Sequence, residues 1–181
     1  MSKQTILVTG GAGTLGNLIS KAFAERGAVV TIQDLNQERL DEVTKSISTK
    51  SSKVYSIAAD LSDPAECARV VSEANQLMGG LDIVINTAGI NRRKPISEVT
   101  EDDFDAIVSV NMKAIYFISQ AAHPIMKSGG GGAIVNMSSL SARYSYNTIS
   151  VYAATKAAVS SITRSAAREW AKDKIRVNCI E

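Results

Sequence analysis

Six short apolar runs alternate with stretches of helical period along this chain, and that alternation constrains the fold more than any other feature. The runs are Thr5–Val8, Ala28–Ile32, Val54–Ala58, Leu81–Ile85, Ala133–Val135 and Ile175–Ile180. Their near-continuous apolar character predicts strands buried on both faces, the habit of a parallel sheet covered by crossover helices. Between the runs, Leu15, Leu18, Ile19, Ala22 and Phe23 recur at helical spacing, as do Leu40, Val43 and Ile47. Gly27 reads as a helix stop, and Asp63-Pro64 as a cap followed by a favoured first-turn proline. One long helical zone is predicted over Thr100–Lys127 and another helix over Val151–Lys172. The glycine run Gly129–Gly132 reads as a helix-to-strand turn. No linker or low-complexity tract interrupts the 181 residues, so residues 1–181 are expected to form a single α/β domain.

Charge and cysteine usage narrow the function classes. The net charge is only +2, and the one basic cluster, Arg92-Arg93-Lys94, is too small for a nucleic-acid stripe. By itself it reads as a solvated loop. Cys67 and Cys179 lie far apart and have no metal-ligand spacing, so the expectation is a reduced, cytoplasmic protein with no metal site. No apolar stretch reaches the roughly 18 residues of a membrane helix. Met1-Ser2-Lys3-Gln4 is expected to lead directly into a strand, with no signal peptide.

Thr9-Gly10-Gly11-Ala12-Gly13-Thr14-Leu15-Gly16 lies where the first run gives way to the first helix. Glycine there lets backbone approach a pyrophosphate, and the following helix start offers unpaired N–H groups to the phosphates. A glycine loop alone is a weak signal, but its context is present. Asp34 closes the second run, 18 residues after Gly16. Its carboxylate can accept hydrogen bonds from both adenosine ribose hydroxyls and would repel a 2′-phosphate; no arginine follows at once in Asp34-Leu35-Asn36. NAD is therefore expected in preference to NADP, the other reading of Asp34 being a helix cap. Asp60-Leu61 and Asn86-Thr87-Ala88-Gly89 end the third and fourth runs, on the rim where open parallel sheets bind ligands.

Tyr152 and Lys156 stand four apart, on one face of a predicted helix. An ammonium beside a phenol favours phenolate, which suits proton exchange with an alcohol or carbonyl. Ser139, 13 residues earlier, can hydrogen-bond the same substrate oxygen. Asn111, in the long helical zone, can hold a water for proton relay. Each has an ordinary alternative: surface packing for the Tyr–Lys pair, a turn cap for Ser139.

Taken together, these segments resemble the classical short-chain dehydrogenases/reductases over nearly the whole chain. The resemblance rests on Thr9–Gly16, Asp60, Asn86-Thr-Ala-Gly89, Asn111, Ser139, Tyr152-x-x-x-Lys156 and Arg176-Val-Asn178, in family order. The gap of 28 residues from Asn111 to Ser139 also matches. It implies a Rossmann-type, doubly wound parallel sheet and hydride transfer between a nicotinamide and a carbinol carbon, without metal. Tyr152 would be the general acid/base. Lys156 would lower the tyrosine's pKa and bind the nicotinamide ribose. Ser139 would position the substrate oxygen and Asn111 the relay water. The cofactor contacts would come from Gly10, Gly13, Thr14, Leu15, Gly16, Asp34, Asp60, Leu61, Asn86, Ala88, Gly89, Tyr152 and Lys156. Homodimers or homotetramers would form through the helices carrying Asn111 and Tyr152.

Three departures stand out. The middle glycine of the loop is Gly13, where the family's usual position is that of Thr14, and Thr87 replaces a common asparagine. Arg-Val-Asn is usually followed closely by a Pro-Gly pair, and the chain reaches Glu181 where that pair is expected. The expectation is six strands, with a seventh strand and a substrate lid missing and little or no turnover from the fragment. Gly89-Ile-Asn-Arg-Arg-Lys-Pro95 resembles the matching segment of gluconate 5-dehydrogenases and 2-deoxygluconate 3-dehydrogenases. That implies a sugar-acid or polyol substrate, with Arg92 or Arg93 able to pair with a carboxylate. A 3-oxoacyl-carrier-protein reductase is the enzymatic alternative. A non-catalytic nucleotide-binding or oligomerisation fragment is the other.

Overall fold

The computed structural model describes residues 3–48, 52–144 and 146–181. Met1 and Ser2 of the expected strand lead-in lie outside the described residues. Six parallel strands form one sheet: β1 Thr5–Thr9, β2 Val29–Asp34, β3 Val54–Ala58, β4 Ile83–Asn86, β5 Gly132–Met137 and β6 Ile175–Ile180. Their order is β3-β2-β1-β4-β5-β6, so the chain reverses direction between β1 and β4. That is the doubly wound Rossmann arrangement, and it opens a crevice at the reversal point.

Six α-helices connect the strands: α1 Thr14–Glu25, α2 Gln37–Ile47, α3 Pro64–Met78, α4 Glu101–Val108, α5 Ala114–Ser128 and α6 Ser150–Trp170. Local chemistry sets their ends. Asp63 accepts the Ala65 N–H at the start of α3, with Pro64 in the first turn as expected. Asn36, not Asp34, caps α2 by accepting the Arg39 N–H. Gly27, with φ of +83°, lies two residues past the end of α1.

The predicted long helical zone proves to be two helices. A π-helical turn, Ser109–Lys113, separates α4 from α5, and Asn111 lies inside it. Such a turn widens the helix locally and is common at functional sites. Hydrophobic periodicity tracks the exposed and buried faces and does not register one extra residue per turn.

Two apolar clusters sandwich the sheet. One joins Leu7, Val84 and Ile134 to Val70 and Val71 of α3 and Ile118 and Met126 of α5. The other joins Ile6, Val8, Val30 and Ile32 to Ala24 of α1 and to Leu40 and Ile47 of α2. β1 is buried throughout, as its continuous apolar run requires, whereas the edge strand β6 exposes Arg176 and Asn178. A buried polar chain crosses the middle of the sheet: Thr9 donates to Asn86 (3.4 Å), Asn86 to Asn136 (2.9 Å), and Asn136 to Thr163 of α6 (2.9 Å).

Candidate functional site

The crevice at the carboxyl rim is built from the ends of β1 to β4. It encloses about 290 Å³ and is lined by Gly10, Gly13, Asp34, Asp60, Leu61, Ala88 and Gly89 among the expected residues. Gly10 adopts φ of +66°, and a Cβ on it would lie 2.7 Å from the Ala88 nitrogen. A Cβ on Gly16 would lie 2.3 Å from the Gly10 carbonyl oxygen. These two glycines therefore let the loop pack on itself and on the segment that follows β4. Gly13 lines the crevice with Gly10, and the only contact near its missing Cβ is the Gly10 carbonyl oxygen. Gly13 is also the position before α1, where no side chain caps the helix and no acidic residue occupies the first turn. The first-turn amides of Thr14, Leu15 and Gly16 are thus left to a ligand, the chemistry a pyrophosphate requires.

Asp34 sits half-buried at the end of β2, with Oδ2 accepting the Ala12 N–H (3.0 Å) and Oδ1 the Leu35 N–H (2.8 Å). Asp60 accepts the Ser62 N–H and remains exposed. Asn86, expected to touch cofactor, is buried in the polar chain beneath the crevice and is absent from its lining. Sequence reasoning missed Gln33, a buried residue of an apolar strand. Its side chain accepts the Gly10 N–H and donates to the Ala59 carbonyl, fixing the glycine turn against β3. It also missed Arg39, which lies five residues past Asp34 in sequence but lines the same crevice.

A second cleft adjoins the first and is lined by Asn91, Arg93, Ser139, Leu140, Ser141, Tyr146, Ile149 and Tyr152. Ser139 Oγ accepts two hydrogen bonds, from the Ser141 N–H (3.1 Å) and the Ser141 hydroxyl (2.9 Å). Its own proton is left to donate into the cleft. Ser139 also caps the short turn Leu140–Ala142.

Lys156 is buried, and Nζ donates to the Met137 carbonyl at 2.7 Å. The ammonium lies 5.5 Å from the centre of the Tyr152 ring. It also lies 3.7 Å from where a Cβ on Gly89 would be, between Tyr152 of the second cleft and Gly89 of the first. Burial pushes its pKa down from 10.5 to about 8.

Asn111 is wholly buried, and its amide braces the rim. Oδ1 accepts the Ile90 N–H (2.8 Å), while Nδ2 donates to the Ile90 carbonyl (2.9 Å) and to Thr155 (3.4 Å). Both amide protons are thereby engaged, and the side chain retains one acceptor lone pair.

The three consecutive cations separate. Arg92 (3.2 Å) and Lys94 both pair with the buried Asp103, the capping-box residue of α4, while Arg93 lines the second cleft. Lys94, Thr100 and Arg92 together hold the Asp103 carboxyl well below the usual carboxylate range. The Lys94 N–H also donates to the carbonyl of Thr148 (3.0 Å), whose φ is +67°. The clasp thus joins the Arg93 segment to the loop leading into Tyr152.

A family profile described as short chain dehydrogenase matches residues 4–181. The chain belongs to the short-chain dehydrogenase/reductase family. This dehydrogenase/reductase is 36% identical, over 99% of its length and 68% of the relative's, to a tropinone reductase homolog of Arabidopsis thaliana. It is 34% identical to a 3-oxoacyl-[acyl-carrier-protein] reductase of Thermotoga maritima, spanning 98% of this chain and 72% of that one. Among solved structures, a chain assigned as a short-chain alcohol dehydrogenase from Sinorhizobium meliloti superposes with a TM-score of 0.95 and 38% identity, covering 99% of this chain and 71% of that one. The protein is an oxidoreductase of a family that binds NAD(P) and acts on small molecules. No helix among the described residues is long and apolar enough to cross a membrane.

Proposed function

We propose that residues 1–181 form one dinucleotide-binding domain of an enzyme that interconverts a secondary alcohol and a ketone with NAD. The observation that carries this reading is the cleft where the free Ser139 proton and the Tyr152 phenol face the same space, with the Lys156 ammonium beside the phenol. Hydride exchange at the carbinol carbon is the chemistry that bound nicotinamide supplies. The protein's own groups do the rest. Ser139 donates to the substrate oxygen and orients it. Tyr152 gives that oxygen a proton in reduction and takes one in oxidation. Lys156 keeps positive charge beside the phenol and within reach of the nicotinamide ribose. Asn111 holds the Gly89–Ile90 rim in place. The first-turn amides of α1 take the pyrophosphate, and Asp34 the adenosine ribose.

For the substrate, a sugar acid or polyol fits best. Arg93 is the only charged residue lining that cleft, and no partner for it is found among the described residues. It therefore suits a carboxylate, whereas Arg92 is already paired with Asp103. The Thermotoga relative favours the alternative, a 3-oxoacyl-carrier-protein reductase. Assembly into homodimers or homotetramers is proposed through the groove between α5 and α6, which Tyr116, His123 and Trp170 line. Light scattering in solution reads the mass directly. The two free cysteines suit a reducing, cytoplasmic setting.

The test pairs NADH and NADPH oxidation, over sugar-acid, polyol and 3-oxoacyl substrates, with a titration of NAD binding. Faster turnover of a keto sugar acid with NADH supports the proposal. Tyr152→Phe is expected to lower that rate by about 10²–10⁴-fold. Preference for NADPH and 3-oxoacyl thioesters favours the alternative. NAD binding without turnover on any substrate leaves the non-catalytic reading.

A further inference from the structure

Ser139 is held on both sides, and both holds lead to one carboxylate. On the amino side, Ser138 is buried, and its N–H donates to the Ile180 carbonyl at 2.8 Å. Its hydroxyl lies 3.0 Å from the Lys156 carbonyl and 2.8 Å from the Ser160 hydroxyl. Ser160 stands on α6 one turn past Lys156 and donates to Glu181 Oε1 at 3.1 Å. On the carboxyl side, the turn Leu140–Ala142 closes at Arg143, whose Nε pairs with Glu181 Oε2. The path from Ser138 through Ser139 and the turn to Arg143, then back through Glu181 and Ser160, is a closed ring. Its first half is covalent and its second half is made of side-chain bonds. A carboxylate only accepts, so Ser160 gives its single proton to Glu181, and Ser138 is the donor in the hydroxyl pair.

We propose that Glu181 is a positioning residue: by closing this ring it fixes the Ser139 hydroxyl relative to Tyr152 and Lys156 on α6. This rests on the reading of the second cleft as the reacting site. Glu181 suits the task because its two oxygens accept from two different elements at once. No other acidic side chain among the described residues bonds Ser160 or Arg143. Packing does not anchor the turn, since Leu140, its one large apolar side chain, is exposed. Arg143 is exposed as well, so its ion pair adds little to global stability. What the ring supplies is local: it holds one hydroxyl where the substrate oxygen needs it, and small misplacements there cost rate steeply.

Glu181→Ala, Arg143→Ala and the double variant test the proposal, first by hydrogen exchange, which needs no turnover. The amides of Ser141, Ala142, Arg143 and Tyr144 are all bonded within the turn. Each variant is expected to speed their exchange by about tenfold or more, with the amides of β1 and β4 unchanged. With NADH and the best substrate of the panel above, kcat is expected to fall by about tenfold or more, while KM and NAD affinity stay within about twofold. The double variant is expected to lose no more than either single one, because either break opens the same ring. Ser160→Ala opens it on the other side and is the second route should Glu181→Ala fold poorly. An unchanged kcat or an unchanged exchange rate overturns the proposal, as do losses that add in the double variant. So does a lowered melting temperature and NAD affinity with kcat intact, the pattern of a merely structural role. A parent chain without turnover on any substrate is a different result: it overturns the reading of the cleft, and the assignment of Glu181 falls with it.

Discussion

At residue scale, Lys156 shows how burial and chemistry pull against each other. Its pKa of about 8 in the folded chain lies below the ordinary 10.5. Between those values the unfolded chain holds a proton that the folded chain has released, so stability contributed through this group rises with pH across that window. Below about 8 the folded protein bears the full cost of a buried charge. Melting temperature, followed from pH 8 to 10, is expected to carry a rising component that Lys156→Met lacks. Turnover over the same range should fall in the parent protein, as the positive charge beside Tyr152 is lost. The two cysteines differ by the same logic. Burial raises the Cys67 thiol to about 11, while Cys179 is only partly covered. Iodoacetamide at pH 8 is expected to alkylate Cys179 first, and peptide mapping reads the order.

At the scale of elements, the π-helical turn matters most. It seats the Asn111 amide against both polar groups of Ile90, in the manner of a strand pairing, and so joins the β4 rim to α5 and, through Thr155, to α6. Asn111→Leu keeps the volume but strands the Ile90 N–H and carbonyl. The expected loss is about 2–3 kcal/mol in denaturant unfolding. Nucleotide binding should weaken as well, because Gly89 sits on the same short segment. The Asp103 clasp acts at this scale too. Asp103→Asn removes the charge that draws Arg92 and Lys94 together and frees the segment carrying Arg93. Its expected signature is a raised KM with kcat less affected, since the chemistry of Tyr152 and Ser139 is untouched.

At the scale of the molecule, the polar chain Thr9–Asn86–Asn136–Thr163 ties β1, β4, β5 and α6 into one unit beneath both clefts. Asn136→Ala leaves buried partners on each side unsatisfied. The expected destabilisation is about 2 kcal/mol in urea unfolding. An isolated change at the exposed end of β6 is expected to do far less.

Much of this was legible in the residues, and the rest was hidden for physical reasons. Apolar runs revealed every strand, but β1, β2, β4 and β5 run one or two residues further toward the rim than their apolar cores. Apart from Met137, the extra residues are the polar Thr9, Gln33, Asp34, Asn86 and Asn136, of which Thr9, Gln33, Asn86 and Asn136 face one another in register. A hydrophobicity pattern ends where they begin, because it reads burial by apolar surface and not by ladder hydrogen bonds. The sequence by itself determined the parallel sheet, the glycine loop and the Tyr152–Lys156 pair, since period and spacing are local properties. Only the tertiary structure decided that Asn86 lies under the crevice, that Asn111 is a brace, that Arg93 rather than Arg92 faces the cleft, and that Arg39 stands beside Asp34. Each of those depends on which distant backbone groups and charges meet a side chain once the sheet has closed, and no spacing along the chain encodes that meeting.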